Sequence, residues 1–286
     1  MRSALIAIAC LAACGHKASP PALRVILHED GVENAYPRLS SDGREILYQS
    51  NRGGTWQLYV LDIATGTSRA LTREGNNNLP DWSPDGRLVA FVSDRDGNEE
   101  IYVMNRDGSE PRRLTTNPGR DIHPYFSPDG KTLLYNSQRT GRSLDVFALD
   151  LASGTEHQLT ETRQDETCAR YAPDGSRFVL LRNDASSDDV WIIDAHAEHN
   201  LTRTPHVRDG WPVFGPDGRV YYASMALGSF SIYRSRSDGT KLEQLTFAAP
   251  DEEDARPFVS HDGRRLIFNR RRGNAIDIME LSPLPS

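Results

Sequence analysis

The chain has 286 residues with 40 acidic against 33 basic side chains, a net charge of −7, and no basic block longer than Arg270 to Arg272. That balance argues against a protein held on nucleic acid by phosphate neutralisation, and the length admits one domain or two. Three cysteines, at positions 10, 14 and 168, are too few for a disulfide framework.

Taken in order, the chain opens with MRSALIAIACLAAC: a lone Arg2, an apolar run from Ala4 to Ala13, and small residues before Cys14. A spanning helix needs about 20 apolar residues, so this shorter run reads as an export signal over residues 1–13. Leu11-Ala12-Ala13-Cys14 resembles the lipobox of bacterial lipoproteins, which implies cleavage before Cys14 and lipid on that residue. Gly15 after it resembles lipoproteins sent to the outer membrane. Residues 14–22 would then be a tether, and the protein would be exported, periplasmic and anchored to the outer membrane.

From Leu23 onward one unit repeats six times. Its marker is an Asp-Gly pair whose glycine is Gly43, Gly86, Gly130, Gly175, Gly218 and Gly263, a spacing of 43 to 45 residues. In the clearest copy, Ser83-Pro84-Asp85-Gly86 fits a type I turn, with the glycine free to take positive φ and start a hairpin strand. Leu88 to Val92 reads as a strand buried on both faces, Ile101 to Met104 as a second, and Arg112 to Thr115 as a short polar edge. Units of four antiparallel strands at this period predict an all-β, six-bladed β-propeller over residues 23–281, with a tail at 282–286. The sixth unit stops at its third strand, Ile276 to Leu281. Leu23 to Leu27 is placed to supply the fourth, burying Leu23, Val25 and Leu27 on one face, so that a chain starting at Asp30 is expected to fold poorly. The fourth unit departs most: Ala169 replaces the proline found at 37, 80, 124, 212 and 257, and Asp194 to Asn200 lacks the turn glycine.

The core Pro80-Asp81-Trp82-Ser83-Pro84-Asp85-Gly86, repeated with variation, resembles the propeller repeat of the TolB family, a WD-type unit. The resemblance spans Leu23 to Leu281. It implies a propeller used as an interaction surface in the bacterial envelope. TolB itself is a periplasmic protein of the Tol-Pal system, carries an α/β domain ahead of its propeller and binds a peptidoglycan-associated lipoprotein. No counterpart of that first domain is seen in this sequence, so membership of the Tol-Pal machine is left open.

Two offsets in the repeat nominate site residues. Nine positions before each marker glycine stand Asn34, Asn77, Asp121, Glu166, Asp209 and Asp254, expected in loops leading to the innermost strands. Four carboxylates at one channel mouth would need a cation such as calcium, or a basic partner segment, to offset their repulsion; Asx-type turns explain the same residue types equally well. Seven positions before the glycines stand Tyr36, Leu79, His123, Cys168, Trp211 and Arg256, either a specificity rim or packing against the next blade. Arg52, Arg95 and Arg139 recur nine positions after the glycines and read as structural. No Gly-x-Ser-x-Gly, zinc spacing, phosphate loop or dinucleotide fingerprint occurs. The sequence therefore predicts a monomeric, non-enzymatic propeller, without a required cofactor, that binds an envelope protein or peptide. The alternative is a metal-dependent sugar lyase similar to oligogalacturonide lyase, drawing on His123, His206, Asp121 and Asp209.

Overall fold

The computed structural model describes residues 21–139, 141, 143–183 and 187–285. The expected export signal, Cys14 and most of the tether lie outside the described residues.

Among the described residues the strands form six separate antiparallel sheets of four. Blade two shows the rule. Its strands are Asn77–Trp82, Leu88–Ser93, Glu100–Asn105 and the two-residue Arg112–Arg113, in order from the axis outward. The Ser83 to Gly86 turn forms because the Gly86 amide donates to the Ser83 carbonyl at 2.8 Å while Gly86 takes φ +69°. The Ser83 hydroxyl completes it, donating to Asp85 and accepting from the Leu88 amide at 2.9 Å.

Among the described residues the core is divided into separate clusters. Side chains alternate along each middle strand, so successive residues enter opposite interblade seams. Leu47 joins Leu58, Trp82 and Phe91 between blades one and two, whereas its neighbours Ile46 and Tyr48 join Leu39, Leu61, Ile267 and Ile278 between blades six and one. That last seam closes the ring. Each blade alone would expose two apolar faces, so the blades are stable only together.

Closure follows the expected route with one correction. The strand Ala22–Leu27 pairs antiparallel with Ala275–Ser282, as the outermost strand of blade six. It begins one residue inside the expected tether. Leu23 and Val25, however, are 46% and 48% exposed and do not form the expected buried stripe. The strand sits at the wide outer edge of the ring, and an irregularity between Val25 and Leu27 turns Ile26 and Leu27 toward the closing seam instead. What fastens it is backbone pairing and polar contacts: Arg24 to Glu280 at 2.9 Å, and His28 Nδ1 to Asp277 at 2.7 Å. The expected tail is also docked. Ser282 belongs to the last strand, and the Leu284 amide donates to the Arg264 carbonyl.

Blade four is more regular than its sequence suggested. Asp188–Asp194 and Glu198–Asn200 pair across a glycine-free connection. The Asp194 carboxylate accepts from the His196 and Ala197 amides, an Asx turn standing in for the missing glycine.

Candidate functional site: the central funnel

The six nominated polar residues do not lie in loops. Asn34, Asn77, Asp121 and Asp209 are the first residues of innermost strands, and Glu166 and Asp254 lie just inside theirs. All are at most 2% exposed, so none faces an open channel mouth. Four of them have an arginine partner in their own blade. Asp254 receives a two-pronged contact from Arg270 at 2.6 and 2.7 Å, and Glu166 accepts from Arg182 at 2.8 Å. Asn77 accepts from Arg95 at 2.8 Å and Asn34 from Arg52 at 3.4 Å. The recurring arginines and the recurring polar residues are thus partners. Arginine arrives from nine positions after the glycine in blades one and two, and from seven positions after it in blades four and six.

Asp121 and Asp209 have no such direct contact. Asp121 accepts from Asn117 and Asp209 from Thr204. Burial pushes the Asp121 carboxyl up to about 6 and raises that of Asp209. Among the described residues, no group of three or more His, Cys, Asp or Glu side chains is placed to hold a metal ion. The donor set considered for a sugar lyase is not assembled: His206 is exposed, Asp121 and Asp209 are buried in separate blades, and His123 is half-buried beside Cys168. His123 Nε2 lies 3.7 Å from the Cys168 sulfur, and burial, reinforced by the Arg170 charge, lowers its pKa to about 3.

The second nominated set shares a backbone feature invisible in the sequence. Tyr36, Leu79, His123, Cys168, Trp211 and Arg256 all have φ between +50° and +56°. Each marks a register shift in its innermost strand, where the extra residue of a bulge takes the left-handed conformation. Adjacent blades fasten some of these bulges. The Tyr36, Leu79 and Cys168 amides donate to Asn269, Gln49 and Asn136 of the preceding blade at 2.8 to 3.1 Å. Three of the six positions thus tie neighbouring blades together, and the side chains of Tyr36, Cys168, Trp211 and Arg256 help line a cavity of about 10 Å³, room for about one water.

The larger opening lies at the other end of the innermost strands, where the marker turns converge. It is a funnel of about 380 Å³ to which all six blades contribute. Its rim is one repeat position: Ser41, Pro84, Pro128, Pro173, Pro216 and His261. Leu39, Trp82, Phe126, Tyr171, Phe214 and Val259, four positions before each glycine, form an apolar wall. The floor is the residue next inward, with Asp81, Tyr125 and Arg170 reaching the opening.

Arg38, at the same repeat position in blade one, is 1% exposed behind this floor. Its Nε lies 3.5 Å from Asp81 and its guanidinium donates to the Pro37 carbonyl and the Tyr125 hydroxyl. Asp81 also accepts from the Phe126 amide at 3.2 Å. Burial raises the Asp81 carboxyl, although Arg170 and Arg38 pull against it. Arg38, Asp81, Tyr125 and Arg170 escaped the sequence reading because the six repeats carry unlike residues at this position. The rim prolines are visible in the sequence, but turn formation alone accounts for them there.

The family described as the TolB beta propeller domain matches residues 24–164 and 143–283. Among relatives, the Tol-Pal system protein TolB of Wolinella succinogenes is 23% identical over 254 residues, covering 80% of this chain and 58% of its own length. The chain thus spans little more than half of that relative. A putative TolB from Agrobacterium tumefaciens superposes with a TM-score of 0.65 at 21% identity, covering 88% of this chain and 91% of that one. An oligogalacturonate lyase in complex with manganese superposes with a TM-score of 0.62 at 14% identity, covering 94% and 97%. At these identities the two structures speak for the fold alone. With both halves matched by the family profile, the chain belongs to the TolB β-propeller domain family.

Proposed function

We propose that this protein is a non-enzymatic binding module of the bacterial cell envelope, exported and held by lipid on Cys14, whose ligand is a peptide segment of an envelope protein. The observation that carries this reading is the funnel: one opening, built from all six blades, with an apolar wall and a few polar groups at its floor. A cavity of that size with that lining suits an ordered segment of a few residues. The name of the Wolinella succinogenes relative, a Tol-Pal system protein, supports an envelope setting. The dispersal of His123, His206, Asp121 and Asp209 gives the lyase alternative no assembled metal site among the described residues.

The test is photo-crosslinking in cells from two positions, followed by mass spectrometry. Trp211 and Asp254 are poor probe sites, one lying in the channel and the other buried. His261 on the funnel rim is exposed, and Leu227, 75% exposed in the loop joining the second and third strands of blade five, samples the opposite face. The expected result is one abundant envelope partner crosslinked from position 261 and absent from position 227. The same partner captured from 227 alone would contradict the assignment.

A further inference from the structure

Three arginines meet on the channel axis, and their charge is not balanced there. Arg170 lies over the Tyr125 ring at 3.8 Å, Arg256 packs between the Tyr36 and Trp211 rings at 4.5 and 4.8 Å, and Arg38 faces Tyr125 and Phe258 at 5.6 and 5.8 Å. Among the described residues the only carboxylate within ion-pair distance of any of them is Asp81, 3.5 Å from Arg38. The Nε atoms of Arg38 and Arg256 are buried without a hydrogen-bond partner. Of the other titratable groups facing this space, burial lowers the pKa of His123 and raises those of Cys168 and Tyr125, so these three bring no negative charge at neutral pH.

A guanidinium does not shed its proton in a protein, so these charges persist. The aromatic faces offset part of the lost hydration, but ring quadrupoles do not replace a counter-charge. Three cations against one anion in a narrow, partly buried channel make a field that draws anions in and keeps cations out. Arg170 and Tyr125 line both the funnel and the small inner cavity, so they form the boundary a ligand meets at the bottom of the funnel.

We infer that the funnel floor is a carboxylate-binding subsite, in which Arg170 and the Tyr125 hydroxyl, backed by Arg38 and Arg256, receive an acidic group of the peptide ligand. This deepens the proposed peptide-binding function and rests on it for the identity of the ligand. Planar guanidinium matches planar carboxylate, and the apolar wall then contacts the flanking residues. The carboxylate is either a Glu or Asp side chain or a chain terminus, and the chemistry at Arg170 is the same for both. The expected ligand is an acidic segment with apolar neighbours, the opposite charge from the basic segment that the acidic residues of the sequence suggested.

The test uses the full chain and follows the indole N–H signals of Trp82, in the funnel wall, and Trp211, beside the inner cavity, by NMR. Three probes are titrated: N-acetylglutamic acid α-amide, N-acetylalanine with a free carboxylate, and N-acetylglutamine amide. The first two separate a side-chain from a terminal source, and the third removes the charge at constant shape. We expect at least one carboxylate to shift the two indole signals with about tenfold tighter binding than the glutamine analogue. Arg170→Gln should abolish that difference, Arg170→Lys should keep part of it, and added salt should weaken it. Arg256→Gln gives a second variant should Arg170→Gln not fold. Equal response to the glutamic acid and glutamine probes, or an unchanged carboxylate response in a folded Arg170→Gln protein, would overturn the subsite. A panel of acidic, neutral and basic peptides then separates the two claims. Carboxylate binding without any peptide binding would sink the peptide reading and keep the subsite, whereas peptide binding indifferent to charge would do the reverse.

Discussion

Two belts of side chains circle the axis of this ring, four positions apart in every repeat. The outer one, from Asn34 to Asp254, is rich in acids and fully buried, and two of its four acids are answered by an arginine of their own blade: Asp254 by Arg270, Glu166 by Arg182. The inner one, holding Arg38, Asp81, Tyr125 and Arg170, is poor in acids and only partly answered. The difference teaches that residue type alone does not nominate a binding site. A charge with a partner from its own blade is part of the scaffold. A charge without one is available to a ligand only where it also borders an opening, as Arg170 does.

The comparison can be broken most forcefully at the paired belt. Arg270→Ala leaves Asp254, 0% exposed, without its two guanidinium contacts, and an orphaned buried charge costs about 3–5 kcal/mol. In a domain of this size that should lower Tm by about 6–20 °C in a calorimetric scan. A loss below about 1 kcal/mol would mean the pair is solvated and the belt is not scaffold.

Asp121, one of the two outer-belt carboxylates without a direct guanidinium contact, gives an effect of opposite sign. Its folded pKa is raised from 3.8 to about 6. The native state therefore holds its proton more tightly than the unfolded chain, and stability supplied by the protonated form is lost as pH climbs from about 4 through about 6. Asp121→Asn, the residue type that blades one and two carry as Asn34 and Asn77, should stabilise by about 1–3 kcal/mol at pH 7.5. The gain should vanish near pH 4 in denaturant titrations. A destabilised variant at pH 7.5 would indicate that the carboxylate is compensated after all.

Smaller still is the expected change at the inner belt. Arg170→Gln removes one of several like charges, so its stability should stay within about 1 kcal/mol of the parent even as ligand binding falls. Collapse of this variant would place Arg170 with the scaffold. Smallest is the clasp, where His28 meets Asp277 and Asp30 at the surface. The Asp277 contact raises the His28 pKa above 6.5, so the contribution is present below pH 6.5 and fades as pH rises through the shifted value. The hydrogen-exchange protection of Ala22–Leu27, taken relative to the intrinsic rate at each pH, should fall over that window in the parent but not in His28→Gln. Unchanged protection in the parent would deny the clasp any pH dependence.

How much of this was legible depended on whether it repeats. The blades were readable because Asp-Gly turns and apolar strands recur at 43 to 45 residues, and the missing sixth outer strand could be found at Leu23 to Leu27 by offset alone. The faces of that strand could not, because alternation marks two sides without saying which one meets a neighbour, and an edge strand has little to meet. The bulges were hidden for a related reason. A residue before proline is biased toward extended backbone, so nothing in Tyr36-Pro37 or His123-Pro124 announces a left-handed φ. The floor of the funnel was the least legible part. Arg38, Asp81, Tyr125 and Arg170 share a register but no residue type, and their importance lies in distances between blades some 45 to 130 residues apart. The link between Arg95 and Asn77 was within reach, since both recur at fixed offsets from one glycine.

The central claim is that the funnel, and not the acid-rich end of the strands, is the mouth that binds. Peptides selected from a random library on the full-length chain test it directly, by fluorescence anisotropy against the parent, His261→Trp and Leu227→Trp. The account predicts that the indole at position 261 weakens binding by about tenfold or more and that the one at 227 leaves it unchanged. Binding retained with His261→Trp and lost with Leu227→Trp would contradict it.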